Sequence, residues 1–236
     1  KVGQMEMSDL VDGQDIIDEE DIGMTTVDLT ANEVGAKIIL TDKLVRQSAE
    51  NVFSMIGRQL GDGMARKKDT DVTALYSGFS TDIGSAGRSM SLANVSATVA
   101  YAKGKKFGPN VYIVQHPFAV WDVANTAVTA STTYPVPVGW SADLLGNFFS
   151  GLRPINGVPI FEDGNITIDG SDDAVGVCAD RSALAVLKSV DMNKENDRDI
   201  SLRATEVVIT ADYGVFELDD SKGVALTLDA GTPATS

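Results

Sequence analysis

The chain has 236 residues, a hydrophobic fraction of 43% and a net charge of −15, which is enough for one large domain or two modest ones. The negative charge argues against a nucleic-acid-binding protein, because the phosphate backbone would repel it. The single cysteine, Cys178, excludes an internal disulfide and a cysteine-based zinc site. No apolar run approaches the roughly 18 residues that a membrane-spanning helix needs, and the sequence shows no secretory leader.

The charge is distributed unevenly along the chain. Residues 1–35 contain ten acidic residues and one basic residue, whereas residues 36–68 contain seven basic and three acidic residues. An acidic segment next to a basic one predicts a contact between them, within one chain or between chains. For most of these residues, a solvated surface that keeps the protein soluble is the simpler interpretation.

Residues 1–40 are predicted to be extended. Residues 24–30 alternate, residues 33–40 are rich in β-branched side chains, and Ala31 and Asn32 can form a turn between them. This pattern predicts a two-stranded ribbon. Because an isolated ribbon is only marginally stable in water, we expect it to lie on another surface, for example that of a neighbouring subunit.

The most prominent element is a helix predicted over residues 41–71. Thr41 can cap its first turn, and three consecutive cations, residues 66–68, favour its carboxyl end. Its apolar residues recur at steps of three and four and form one stripe, which comprises Leu44, Val45, Ala49, Val52, Phe53, Ile56, Leu60, Met64 and Ala65.

Three glycines interrupt this helix, and each costs roughly 1 kcal/mol relative to alanine. We therefore expect either that the helix bends near Gly61 or that another backbone approaches it closely at Gly57, Gly61 and Gly63.

The middle of the chain mixes helices and strands. Residues 80–88 predict a loop, and residues 91–103 predict a helix that stops at Gly104. A buried strand over residues 110–115 precedes a short helix that begins at Pro117.

Two more strands and a helix follow. Residues 157–162 predict a strand that Pro159 places at a sheet edge, residues 174–178 another strand, and residues 182–189 a short helix. Alternation in residues 206–218 and 224–228 predicts a terminal hairpin with a loop of about five residues. This mixture is typical of the α+β class.

The sequence contains no catalytic signature. His116, the only histidine, could serve a Ser-His-Asp arrangement, but no serine lies in a nucleophile-elbow pattern. The helix glycines do not follow a strand, so they do not predict a phosphate cradle. Paired carboxylates at residues 172–173 and 219–220 fit turns better than acid–base or Mg²⁺ chemistry. We therefore expect no enzymatic activity, cofactor or metal.

The order of elements resembles the major capsid proteins of tailed bacteriophages, which have the Hong Kong 97-type fold. The resemblance is carried by the helix TDKLVRQSAENVFSMIGRQLGDGMARKKDTD, the strand and His-Pro of NVYIVQHPFAVWDV, the segment NGVPIFEDGNI, and the DYGV strand with its GVAL return in ATEVVITADYGVFELDDSKGVALTLDA. It extends over nearly the whole chain, although none of these segments is a catalytic motif.

The resemblance implies an α+β capsid fold with an extended loop over residues 1–40 and a peripheral domain over residues 41–108 and 201–236, which includes a long spine helix. Residues 109–200 are then the axial domain. The implied function is a non-enzymatic virion protein, assembled in the host cytoplasm, whose copies form pentamers and hexamers of an icosahedral shell.

The implied shell encloses double-stranded DNA without specific binding and without a membrane, and portal, scaffolding and decoration proteins are possible further partners. For the contacts between subunits, we predict that acids of the extended loop meet bases of the helix region, namely Asp18, Glu19, Glu20 and Asp21 with Arg46, Arg58 and Arg66.

Two other functions remain open from the sequence. An encapsulin-like compartment would use the same fold to enclose an enzyme instead of a genome. A small α+β hydrolase would use His116 as its catalytic base.

Overall fold

The computed structural model describes residues 28–48, 51–128 and 157–233. The helices in these ranges are α1 (Asp42–Gln47), α2 (Val52–Ala74), α3 (Leu92–Gly104) and α4 (Pro117–Val128). The strands are β1 (Asn32–Thr41), β2 (Val111–Gln115), β3 (Ile160–Glu162), β4 (Asp173–Asp180), β5 (Leu184–Asp199), β6 (Ala204–Glu217) and β7 (Gly223–Asp229).

The strands form two sheets. The first sheet is antiparallel and has the order β1-β6-β5. The second sheet has the order β3-β2-β4-β7, with β2 and β3 parallel and the other pairs antiparallel. Helices and largely antiparallel strands confirm the α+β class.

Strand β1 lies on its own chain. It pairs with β6 from Asn32 opposite Tyr213 to Thr41 opposite Ala204. The strand prediction for residues 33–40 is confirmed, but Asn32 belongs to the strand rather than to a turn. Most of the other half of the predicted ribbon, residues 24–27, lies outside the described residues.

The prediction of one helix over residues 41–71 is wrong. Thr41 caps α1, as expected, by accepting the Leu44 amide at 3.4 Å, but the Ser48 amide then binds the Leu44 carbonyl and Ser48 is extended. Asn51 starts α2 anew, because its Oδ1 accepts the Ser54 amide at 3.3 Å. An asparagine that bonds to the nearby backbone favours a helix start over a helix interior.

Helix α2 itself runs without interruption through Gly57, Gly61 and Gly63 and ends at Ala74. The helix therefore does not end or break at Gly61. Its 23 residues correspond to about 35 Å at 1.5 Å per residue.

The prediction of a helix over residues 182–189 is also wrong, because Leu184 opens β5 opposite Glu217. The segment is too short for its propensity to decide, and β6 supplies backbone partners from Leu184 to Lys188. Two register shifts, between Lys188 and Val190 and between Val190 and Asn193, interrupt the pairing.

The predicted terminal hairpin is wrong as well. Strand β6 does alternate as expected, with Val207, Ile209, Ala211 and Tyr213 buried. However, a short 3-10 helix, Asp220–Lys222, carries the chain to the second sheet, where β7 pairs with β4. Most of β7 is buried, including consecutive residues, as in a strand covered on both faces.

The remaining elements match the predictions closely. Ser91 caps α3, Pro117 is the first residue of α4, and β3 is an edge strand directly after Pro159.

Helix α2 connects two hydrophobic cores. Its buried stripe packs on the first sheet in a core of Leu40, Val52, Ile56, Leu60, Met64, Val207, Ile209, Ala211 and Tyr213. Immediately after the helix, Tyr76 and Phe79 enter the second core, which surrounds the second sheet, α3 and α4. Helix α2 and the residues that directly follow it therefore pack into both hydrophobic cores, one around each sheet.

Candidate subunit-contact surface

The predicted contact bases all lie at the surface. Arg46 is exposed on α1, where its Nε donates to the Asp42 carbonyl at 3.2 Å, and Arg58 and Arg66 are exposed on α2. Their proposed partners, residues 18–21, lie outside the described residues. The ionic contact between the two groups stays a prediction.

A groove of about 510 Å³ runs between α2 and β5 beside Arg66. It combines cationic and apolar walls, and its lining residues are Ala65, Arg66, Lys68, Asp69, Val72, Asn165, Val186 and Lys188. Sequence reasoning missed Lys188, because the residue was assigned to a helix rather than to a strand packed beside α2.

Lys68 fixes one side of this groove. Its Nζ donates to the Asp191 carboxylate at 2.8 Å and to the Asp191 carbonyl at 3.0 Å, and it lies 5.5 Å from the centre of the Tyr213 ring. These bonds, with the smaller attraction of Lys188, hold the pKa of Asp191 below its usual range. Among the groove cations, Arg66 and Lys188 are the more exposed.

The outer face of α2 is open. Phe53 and Met55 are 42% and 47% exposed. A Cβ added at Gly57, Gly61 or Gly63 would meet nothing within 4 Å. The close backbone approach that we expected at these glycines is therefore not made within the described chain.

A second exposed apolar region lies where the first sheet meets α1. Ile200 and Leu202, in the turn between β5 and β6, are 84% and 56% exposed. This turn is firmly held, because Arg203 adopts a φ of 48° and its carbonyl accepts the Asp42 amide at 2.9 Å. Arg198 adds two hydrogen bonds to the Asp42 carboxylate, at 3.1 and 2.8 Å.

His116, on which the hydrolase alternative depends, is buried, and its side chain binds the backbone. Its Nδ1 accepts the Phe118 amide at 3.2 Å, and its ring packs edge-on against Phe118 at 4.8 Å. Burial lowers the pKa of the imidazole. These contacts describe a residue that caps the start of α4, and they do not place it as a base for a serine.

Two carboxyls accept hydrogen bonds from Asn165 where α2 faces the second sheet. Asp163, directly after β3, accepts the Asn165 amide at 2.8 Å, and the Asn165 side chain donates to Asp69 of α2 at 2.6 Å. Burial raises the pKa of Asp163, the Asn165 amide opposes this, and the charge of Asp69 and a hydrogen bond between the two carboxyls raise it further.

The single thiol is deeply buried. Cys178 on β4 has no exposed surface, and burial raises the pKa of its thiol to about 12.

Residues 28–48, 51–128 and 157–233 contain no group of three or more His, Cys, Asp or Glu side chains placed to hold a metal ion. Within the same ranges, none of the helices is long and apolar enough to cross a membrane.

No protein-family model and no curated protein sequence matches the chain. Solved structures do match it. The capsid of Ralstonia phage GP4 is similar with a TM-score of 0.72 over 98% of this chain and 82% of that chain, at 13% identity. The mature capsid of bacteriophage PhiM1 is similar with a TM-score of 0.65 over 99% of this chain and 81% of that chain, at 15% identity.

An encapsulin is also similar. The SrpI encapsulin of Synechococcus elongatus matches with a TM-score of 0.63 over 87% of this chain and 77% of that chain, at 9% identity. At these identities the likeness concerns the fold. The chain has the Hong Kong 97-type capsid fold that the sequence led us to expect.

Proposed function

We propose that this protein is the major capsid protein of a tailed DNA bacteriophage. Its copies assemble as pentamers and hexamers into an icosahedral shell that encloses the genome, so its role is structural and it resides in the virion. The observation that carries the proposal is the similarity to the GP4 capsid, which extends over 98% of the chain. Assembly in the host cytoplasm, with portal, scaffolding and decoration proteins as partners, belongs to the same proposal.

The two sheets support a division of the subunit into domains. We assign the extended loop to residues 1–40, the peripheral domain to residues 41–108 and 201–236, and the axial domain to residues 109–200. The strand pairing favours two changes to these domain boundaries. Strand β5 belongs with the first, peripheral sheet, and β7 belongs with the second, axial sheet.

The net charge of −15 fits a container for DNA that does not grip its content. A polyanion is repelled by a negative wall, so the genome can be packed and released. We expect the isolated subunit to have no measurable affinity for duplex DNA at physiological salt. Tight binding under these conditions would contradict this part of the proposal.

For the contact between subunits, we propose that Asp18, Glu19, Glu20 and Asp21 of one copy approach Arg46, Arg58 and Arg66 of another. Arg66 opens onto the cationic groove between α2 and β5, which provides a concave surface of the right charge. Each exposed ion pair contributes little, but a closed shell repeats the contact in every subunit.

The test of this contact is charge reversal at Glu19 and Glu20. We expect the doubly reversed variant to assemble poorly at low salt, and the difference from the unaltered protein to shrink at high salt because salt screens exposed charges. Reversal of Asp9 and Asp12, which are equally acidic but lie outside the contact, is the matched control. Equal assembly of all three proteins at both salt concentrations would refute the contact.

An encapsulin-like compartment is the second candidate, because the SrpI encapsulin has the same fold. The content of the particles separates the two functions. Particles of a phage capsid purified from an infected host contain DNA that is protected from nuclease, whereas an encapsulin contains a protein cargo.

The first experiment is negative-stain electron microscopy of the expressed full-length protein, with mass photometry of the same sample. Closed shells, or rings of five and six subunits, are the expected result. A uniform monomer at all salt and protein concentrations, with the complete amino terminus present, would count against a shell protein.

A further inference from the structure

The junction between α2 and the second sheet contains an arrangement that shell formation does not require. Asp69 is on α2, in the last two turns of the helix, and Asp163 follows β3. Asn165 bridges them, since its amide donates to Asp163 at 2.8 Å and its side chain donates to Asp69 at 2.6 Å. Two acidic groups from the two halves of the fold are thereby held side by side.

Such a pair is more stable when it holds a proton. Two ionised carboxylates close together repel each other, whereas a neutral carboxyl beside a carboxylate does not. The Asn165 side chain can donate to Asp69 in either state, so it keeps the pair together while the proton leaves.

The groups around Asp163 do not neutralise the pair at neutral pH. The charge of His116, at the end of β2, lowers the pKa of Asp163. Burial lowers the pKa of His116 itself, so this charge is lost as the pH rises towards neutrality. Burial also raises the pKa of Tyr76, which therefore stays protonated. Glu162, which precedes Asp163 in the chain, is exposed to solvent.

The nearest cations lie in the groove between α2 and β5, which Asp69 and Asn165 also line. Lys68 is committed to Asp191, with which it forms two hydrogen bonds. Arg66 and Lys188 are more exposed, so solvent screens their effect on the pair.

We propose that Asp163 and Asp69, which both accept hydrogen bonds from Asn165, form a proton-dependent latch between α2 and the second sheet. The latch is closed when Asp163 is protonated and loosened by repulsion between the two carboxylates when Asp163 ionises. The latch goes beyond assembly: it makes the contact between the two halves of the subunit firmer in acid than at neutral pH.

The sign of the effect on stability follows from linkage. The pKa of Asp163 is higher in the folded protein than in the unfolded chain. Its contribution to stability is therefore fully present below the unfolded pKa of about 3.9 and is lost as the pH rises through the folded value. Glu217, whose pKa is raised by burial and by Asp220, acts in the same direction and will leave some pH dependence when Asp163 is replaced.

The experiment compares the unaltered chain with Asp163→Asn, which carries no charge but still offers an amide to Asp69. The unfolding constant is measured by chemical denaturation between pH 4 and pH 8. We expect the ratio of the unaltered protein's constant to that of Asp163→Asn to increase with pH, by tenfold for each pKa unit by which folding raises the pKa of Asp163. Asp62→Asn, on the exposed face of α2, is the matched control and should give a flat ratio.

A ratio for Asp163→Asn that is flat, or that falls as the pH rises, would overturn the latch. If Asp163→Asn fails to fold, Asp69→Asn removes the same repulsion from the helix side. It should give a ratio that also rises with pH but less steeply, because the burial of Asp163 remains. A carbon-13 NMR titration, which measures the pKa of the Asp163 carboxyl in the unaltered protein directly, is a second test of the latch. An Asp163 pKa above the ordinary range of aspartate that falls in Asp69→Asn supports the latch. An Asp163 pKa at or below that range, or one that Asp69→Asn leaves unchanged, refutes it. None of these measurements requires assembly, so the latch and the capsid function are tested separately.

Discussion

Tyr213 on β6 donates a hydrogen bond of 2.6 Å to Asp71 on α2 and thereby ties the end of the long helix to the first sheet. Burial and the neighbouring Asp71 raise the pKa of Tyr213 to about 12, so the hydroxyl keeps its proton at any physiological pH. Lys67, four residues before Asp71 on the helix, binds the same carboxylate at 2.5 Å. Although burial alone would raise the pKa of Asp71, the bonds from Lys67 and Tyr213 hold it below the usual range.

Replacement of Tyr213 by phenylalanine should destabilise the protein by about 1.5–3 kcal/mol at neutral pH, because it removes one hydrogen bond to a charged carboxylate. The pKa of Asp71 is lowered, so its contribution to stability is present above the unfolded pKa and is lost as the pH falls through the folded value. The loss in Tyr213→Phe should therefore be larger at pH 7 than at pH 3, as measured by urea denaturation.

Tyr101→Phe is the matched control for this prediction. The hydroxyl of Tyr101 contacts only a neutral oxygen, Thr81 Oγ1, at 3.4 Å, so its removal should cost the same at both pH values. An equal loss at pH 7 and pH 3 for Tyr213→Phe would show that the bond to Asp71 is not charge-assisted.

The second prediction concerns the centre of the second sheet. Ile113 lies on β2 between β3 and β4 and has no exposed surface. Ile113→Ala should lower the free energy of unfolding by about 2–5 kcal/mol, and Ile113→Val by about 0.5–1.5 kcal/mol, because cavities of increasing size are left. Ile200→Ala, at a residue that is 84% exposed, should change it by no more than about 0.5 kcal/mol. A similar cost at both positions would contradict the placement of the core.

The third prediction separates folding from assembly at Gly61. An added methyl group there meets nothing within 4 Å, and alanine favours the helix over glycine by roughly 1 kcal/mol. Gly61→Ala should therefore stabilise the isolated subunit in denaturation experiments. If a neighbouring subunit makes the close approach that the glycines led us to expect on this face, the same variant should assemble more slowly in light scattering.

Gly104→Ala, at the last residue of α3, is the control, since its added methyl group also meets nothing within 4 Å. We expect it to leave the rate of assembly unchanged. Unchanged assembly of Gly61→Ala as well would show that no partner covers this face of α2.

The fourth prediction concerns Arg198 and Asp42, which join the end of β5 to the start of α1. Hydrogen bonds from Arg198 hold the pKa of Asp42 below its usual range. Arg198→Met should therefore raise the pKa of Asp42 in an NMR titration, and Arg198→Lys, which keeps the charge but not the paired geometry, should raise it less. Both effects should diminish at high salt, because the pair is exposed. A pKa of Asp42 that is unaffected by Arg198→Met would exclude the pair in solution.

The parts of the fold that repeat regularly could be predicted from the sequence. Val207, Ile209, Ala211 and Tyr213 alternate, and they form the buried face of β6. The apolar stripe also identified α2. It could not reveal the break before Asn51, because apolar residues recur at helical spacing on both sides of the break and a single side-chain hydrogen bond decides where the second helix begins.

Pairing between distant strands could not be predicted. Alternation in residues 224–228 indicates which side chains are buried but not which strand lies beside them, so β7 was assigned to β6 although it pairs with β4. The predicted helix at residues 182–189 had a further consequence. Lys188, Asp191 and Arg198 lie on β5, so the ionic contacts between β5 and the two helices were missed.

The predicted contact between subunits stays a prediction. Arg46, Arg58 and Arg66 are at the surface, as a charge pattern can indicate. The hydrogen bonds by which Asn165 joins Asp163 to Asp69 could not be anticipated, because the two acidic residues are 94 positions apart and neither lies in a catalytic motif. Only the packing of α2 against the second sheet brings them together.

Because Cys178 is buried in the second sheet, its reaction with a thiol reagent will report when that sheet opens in the unmodified chain. Only a thiolate reacts quickly with an alkylating reagent, and a thiol with a pKa of about 12 in a fully buried position supplies almost none at neutral pH. Cys178 lies on β4 between β2 and β7, opposite Ile113 and Val224. Because the sequence contains no other cysteine, labelling followed by mass spectrometry will count the subunits whose second sheet has come apart, in solution or within an assembled particle, without any substitution.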